Sequence, residues 1–122
     1  MKIVVSASGP DIESTVDEKF GRCPYFIVAE IVDKTIVSHK SIENTSTKQM
    51  TGAGTTAAQL VADMNVDAII TGNMGPRAFT IFQQLGIAVY EGRGIIKKAV
   101  QDFIAGNLRK MESAKCPRHM FS

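Results

Sequence analysis

The chain has 122 residues, of which 44% are apolar and 21% charged, and its formal net charge is +2. That length supports one domain with a real hydrophobic core, and that composition is typical of an ordinary soluble globular fold. No apolar run approaches ~20 residues, so no membrane span is expected, and the sparse pairing of basic with aromatic residues argues against nucleic-acid binding.

The run Ile3-Val4-Val5 predicts a strand over Lys2–Ala7, apolar enough to be covered on both faces. Because the chain opens on this strand rather than on an apolar leader with a small-residue cleavage site, the expected compartment is the cytoplasm. Residues 8–23 form a long loop, and long loops in small domains raise the expectation of function. Tyr25–Val32 and Thr35–Ile42 are strand-prone, and Asp33-Lys34 between them fits a tight hairpin turn. His39 and Lys40 mark the second of these as a charged sheet edge. Residues 43–54 read as a mobile polar loop.

A helix is expected from Thr55, with Ala57, Leu60, Val61 and Met64 on its apolar face. Asp67–Thr71 is a strand, and Pro76 opens the next helix where its missing N–H costs nothing. Ala78, Phe79, Phe82 and Leu85 form the buried stripe of that helix, and Gly86 ends it. Ile87–Tyr90 is a short strand. Ile95–Ala105 is an amphipathic helix, with Lys97, Lys98 and Asp102 facing out. A single domain is expected over residues 1–106, with a basic, flexible tail over 107–122.

Charge is uneven along this order. Residues 93–122 carry seven Lys/Arg against two acids, whereas residues 1–92 carry seven against ten. A solvated basic helix and tail would account for this, and so would attraction of an anionic ligand or partner.

The order β-β-β-α-β-α-β-α with right-handed crossovers makes the strands at 2–7, 67–71 and 87–90 parallel. The loops 8–23, 43–54, 72–77 and 91–94 then share the carboxyl-end rim, where open α/β sheets bind ligands. That rim would carry Ser6 or Ser8, Lys19, Arg22, Cys23, Met50, Gly72, Asn73, Met74, Arg77 and Arg93. The strand-turn-helix Ala68–Arg77 ends in backbone N–H groups at a helix start, a ready anion site.

Positive charge, exposed donors and a thiol suit an anionic ligand with a soft metal component. Each feature also has a structural explanation: glycines serve turns, the arginines could pair with Asp11, Asp17, Glu18 or Glu91, and Cys23 could be a small core residue. Cys23 and Cys116 are free thiols, a redox pair or metal ligands, and one chain cannot supply four thiolates to a cluster. Cys116 and His119 have a spacing that allows two ligands to one metal, so Cys23, Cys116 and His119 form a candidate set. Two-metal hydrolysis needs carboxylates on the central strand, and Lys2–Ala7 has none. Neither Gly52-Ala53-Gly54 nor Gly72–Gly75 is a phosphate P-loop or a dinucleotide fingerprint.

The motifs Phe20-Gly21-Arg22-Cys23-Pro24-Tyr25-Phe26, Gly52-Ala53-Gly54, Thr71-Gly72-Asn73-Met74-Gly75-Pro76 and Gly86-Ile87-Ala88-Val89-Tyr90 come in one order. Together they resemble the dinitrogenase iron-molybdenum cofactor biosynthesis family, the small nitrogenase accessory factor type of domain, over roughly residues 1–105. The resemblance implies a ribonuclease H-like three-layer α/β fold. Its sheet would be five-stranded and mixed, in order 3-2-1-4-5 with strand 2 antiparallel. It also implies binding or carrying of an iron–sulfur cluster or the iron-molybdenum cofactor rather than catalysis, with metallocluster donor and acceptor proteins as partners. Carried over by position, Arg22, Cys23, Asn73 and Arg77 would line the binding rim. Members often have a His before the Gly-x-Gly motif, where this chain has Lys48-Gln49-Met50-Thr51. With two Cys per chain, a homodimer sharing one cluster is one expected arrangement. A small-anion or protein interaction module using the same rim without metal is the alternative.

Overall fold

In the computed structural model, residues 1–45 and 53–112 are described. The first strand, β1 (Lys2–Ala7), lies at the centre of the sheet, and its residues Ile3, Val4 and Val5 are fully buried. It pairs antiparallel with β2 (Tyr25–Val32), which turns back into β3 (Thr35–Glu43). Asp33 and Lys34 both have positive φ, 53° and 63°, the signature of a two-residue hairpin turn matched to strand twist. β3 is an edge strand, exposed along most of its length.

After α1 (Ala53–Ala62) the chain forms β4 (Ala68–Thr71), parallel to β1 on the side away from β2. It continues through α2 (Pro76–Leu85) to β5 (Ala88–Glu91), parallel to β4. α2 ends as its sequence predicts: Gly86 is left-handed at φ 74°, its N–H donates to the Gln83 carbonyl, and Ile87 N–H donates to the Phe82 carbonyl. Next come α3 (Ile96–Ile104) and β6 (Arg109–Lys110), which pairs antiparallel with β5.

The sheet order is β3-β2-β1-β4-β5-β6. The expected order of the first five strands holds, and the expected count of five is corrected to six. Within the segment expected as tail, Arg109 and Lys110 pair in the sheet, and Met111 N–H donates to the Val89 carbonyl at 2.8 Å with its side chain buried. Two charged residues carry no strand signal of their own, so β6 forms only because β5 offers an open edge.

The two faces of the sheet have separate cores. On one, Val4, Phe26, Val28, Ile69 and Val89 pack under Ala57, Ala58 and Val61 of α1 and Ala78, Phe79 and Phe82 of α2. On the other, Ile3, Val5, Ile27 and Ile70 pack under Ile96, Ala99 and Val100 of α3. This division decides which rim loops can meet. Among the described residues, no helix is long and apolar enough to cross a membrane.

Candidate functional site

The long loop after β1 is pinned by hydrogen bonds rather than free. Asp17 N–H donates to the Ser6 carbonyl at 2.8 Å and Val16 N–H to the Gly94 carbonyl at 2.8 Å. Asp17 also accepts Lys19 N–H on its side chain at 2.8 Å, a local turn that needs only an Asp two residues upstream. Lys19 bridges to Asn73, and Phe20 N–H donates to the Asn73 carbonyl at 3.3 Å. A Cβ on Gly72 would come within 2.7 Å of Glu18 Cα, so only glycine lets this loop lie against the end of β4.

Phe20 anchors the loop from below. Its ring sits 5.3 Å from that of Phe26 and 5.5 Å from that of Phe82, edge-on to the latter. This leaves Gly21 and Arg22 on the surface. Asn44, 1% exposed, ties the same segment from the far side: its Nδ2 donates to the Cys23 carbonyl at 2.7 Å and the Gly21 carbonyl at 3.3 Å, and its N–H donates to the Pro24 carbonyl at 2.9 Å.

Between this segment and the first turns of α1 and α2 lies a cavity of about 290 Å3. Phe20 and Gly21 form one wall, Gly54 and Thr55 a second, and Gly75, Pro76, Arg77 and Ala78 the third. α2 has no side-chain cap. Arg77 and Ala78 N–H come too early in the helix to have an intrahelical acceptor, and both residues line the cavity. Among the described residues, no atom would contact a Cβ on Gly54 or Gly75. Two helix starts therefore present positive dipole ends to one open hollow, and Arg77 adds a full charge. Among the described residues no carboxylate forms a salt bridge with Arg77, whereas Arg93 is tied to Glu91 at 3.2 Å.

A second cavity, about 340 Å3, lies at the other end of α2, beside Gly86, Val89 and Met111. It is the larger of the two, but it faces the negative end of the helix dipole and its charged lining is mixed, Lys110 with Glu112. For an anion the cavity at the helix starts is the better host.

The predicted rim residues divide. Arg77 lies in the cavity wall and Asn73 is bonded to that wall through Phe20, while Arg22 is exposed and follows Gly21 of the wall in sequence. Arg93 sits in the turn leading to α3 on the opposite face. The start of α3 is closed to ligands, because Ile96 N–H donates to the Ser14 carbonyl and Lys97 N–H to the Ile12 carbonyl, both at 2.9 Å. Gly72 and Met74 are buried beneath the rim. Met50, Cys116 and His119 lie outside the described residues.

Cys23 occupies the core, not the rim surface. It is fully buried and its Sγ–H donates to the Phe20 carbonyl at 3.2 Å. Burial, reinforced by the nearby negative charge of Asp17, pushes its thiol up from 9.0 to about 12. Burial thus disfavours the thiolate form that a metal ligand takes. Among the described residues, no three His, Cys, Asp or Glu side chains gather closely enough to hold a metal ion. The donors at the cavity suit an anion approached from outside. The sequence singles out Phe20 only within a family motif and Thr55 only as a helix start, and Asn44 not at all, although an Asn directly after a strand is a signal.

The match to a family model decides the relationship: residues 1–106 fit the family described as dinitrogenase iron-molybdenum cofactor. The chain belongs to the dinitrogenase iron-molybdenum cofactor family. Within it, the chain is similar to an uncharacterized protein of Methanocaldococcus jannaschii, 45% identical over 94 residues that cover 76% of this chain and 80% of the relative. Among solved structures, the apo form of the orange protein from Desulfovibrio gigas superposes with a TM-score of 0.86. It is 32% identical, and the match covers 94% of this chain and 96% of that one. A Thermotoga protein provisionally named as NifB superposes with a TM-score of 0.79 at 25% identity, covering 95% and 97%. The family description links this chain to the iron-molybdenum cofactor.

Proposed function

We propose that this family member binds and carries a metallocluster of the iron–sulfur or iron–molybdenum type, as cargo and without catalysing a reaction. The cavity between the starts of α1 and α2 would receive it. The observation that carries the reading is Arg77: a cation placed in the first turn of a helix, where the dipole opposes it, and given no carboxylate partner among the described residues. Such an arrangement suits an anionic guest. Arg77 and the N–H groups of Arg77 and Ala78 would contact the outer atoms of the cluster, with Arg22 and Asn73 bordering the approach. In this reading Cys23 supports the loop and does not bond the metal. Cluster-handling donor and acceptor proteins would be the partners, and the cytoplasm the place of action. The strand order, with β2 antiparallel between β1 and β3, supports a ribonuclease H-like assignment of the fold.

Support from the comparisons is of two kinds. The family description names the iron-molybdenum cofactor. The orange protein is described in an apo form, a word that implies a loaded counterpart.

Anaerobic incubation with iron and sulfide tests the reading. The wild-type chain should acquire visible charge-transfer absorption and stoichiometric iron. Arg77→Ala and Gly75→Ala should acquire several-fold less, the first through lost charge and the second through a methyl in the hollow, while Cys23→Ala should load as wild type does. A colourless, iron-free wild type would sink the proposal. If phosphate alone then raised the melting temperature, the same helix starts would serve as a small-anion module, the second reading that this cavity favours.

A further inference from the structure

The end of the sheet opposite the cavity at the helix starts carries an apolar surface. Among the described residues five large apolar side chains are exposed, and three of them, Met1, Val32 and Val37, lie at the β2–β3 hairpin end. Beside them a hollow of about 350 Å3 opens between the hairpin and the end of α3, against about 290 Å3 for the cavity at the helix starts. Met1, Ile31, Phe103 and Ile104 give it an apolar lining, which Asp33 and Lys34 complete. Apolar surface gathered in one place in this way marks an interaction site.

The turn beside the hollow is built against local preference. Asp33 and Lys34 both have positive φ, 53° and 63°. Two-residue turns of this kind favour Asn-Gly or Asp-Gly, so Asp33 is at home but Lys34 stands where glycine would be the easier residue. Backbone held in a sparsely populated region is found where function outweighs local strain. Both side chains are exposed, and among the described residues neither forms a salt bridge. A carboxylate and an ammonium group therefore stand side by side next to an apolar hollow, with no ion pair inside the fold.

We propose that this end of the molecule docks a second copy of the chain, in a twofold dimer in which Asp33 of each copy meets Lys34 of the other. Under a twofold axis every contact is made twice, so an adjacent acid and base are both complemented by a copy of themselves. A purely acidic or purely basic partner would leave one of the two opposed. The copies meet through side chains and not by extending the sheet, because β3 is bulged opposite Glu30 and Ile31 and carries His39 and Lys40 along its edge. The contact lies at the amino end of β1, where Lys2 pairs with Glu30, whereas the cavity lies beyond its carboxyl end. Two copies docked in this way keep separate cavities, so each would hold its own cargo and no cluster would be shared. Only that consequence rests on the proposed function; the dimer does not.

Sedimentation equilibrium of the full chain, reduced and free of iron and sulfide, tests the dimer apart from cargo loading. The wild type should pass from monomer to dimer as its concentration rises to about 1 mM. Lys34→Asp places four carboxylates around the axis and should weaken dimerisation by at least about tenfold, and Asp33→Lys should do so with four ammonium groups. The double variant Asp33→Lys/Lys34→Asp should bring the dissociation constant back to within about threefold of the wild type, a restoration that no loss of folding can imitate. Lys34→Gly suits the positive φ, so it should raise the urea midpoint of the dilute monomer while weakening the dimer. If Lys34→Gly dimerises as the wild type does, the turn is merely structural and the proposal is overturned. A wild type that stays monomeric throughout gives the hollow to another occupant and overturns it too, as does a double variant no tighter than the single ones.

Discussion

Cys23 shows how the fold decides between two readings that the sequence leaves open. On the sequence it sits between an arginine and a proline, where a thiol reads equally as a rim ligand or as a small core residue. In the fold, Phe20 and Asn44 draw residues 20–24 inward and the thiol is sealed in the core. Nothing in a single sequence distinguishes the two, because the burial is produced by Asn44, twenty-one positions away. The sealed thiol makes stability depend on pH. The folded thiol titrates at about 12 against 9.0 for an ordinary one. Below pH 9 both states hold the proton and the contribution is fully present. Above pH 9 the unfolded chain releases the proton first, so stability falls by ~1.4 kcal/mol per pH unit until the folded pKa is reached. Urea unfolding at pH 8 and pH 10.5 should show the advantage of the wild type over Cys23→Ala shrinking at the higher pH. An advantage independent of pH would mean that the thiol is exposed to solvent.

Among the helices, α2 and α3 begin alike and end up with different surroundings. Both start at the same rim without a side-chain cap. The start of α3 is closed by the Ile12 and Ser14 carbonyls, whereas α2 opens on the cavity. The sequence made Pro76 legible as a helix start and Gly86 as its end, because both act through local backbone geometry. It could not show that loop 8–23 would occupy one helix start and spare the other, since that depends on contacts between distant segments. A cation in the first turn of α2 opposes the dipole by about 0.3–1 kcal/mol. Arg77→Ala should therefore make the cargo-free protein slightly more stable, by that order, while weakening cargo uptake. Urea midpoints measured before loading, beside iron content after it, check both halves. A loss of stability in Arg77→Ala would assign the guanidinium to the fold instead of to a guest.

For the whole molecule, the strand order was legible because it derives from the directions of the strongly apolar segments and the handedness of their crossovers. The sixth strand was not, since Arg109 and Lys110 have no strand pattern and are held by β5 and by Met111. The β6 pairing and Met111 thus lie beyond the family match, which ends at residue 106. Two shortened chains separate the role of residues 107–112 from that of residues 113–122. A chain ending at residue 106 loses the β6 pairing and the buried Met111, and it uncovers the outer edge of β5. It should be less stable by at least ~2 kcal/mol, the usual loss for removing a buried Met side chain, and prone to pair through the exposed edge. A chain ending at residue 112 keeps the sheet intact and should match the full chain in urea midpoint. It lacks Cys116 and His119, so its iron uptake decides whether those side chains hold the cargo. If the cavity between α1 and α2 suffices, uptake is unchanged. If uptake falls while stability does not, the cluster is bonded by Cys116 or His119 as well as cradled by α2.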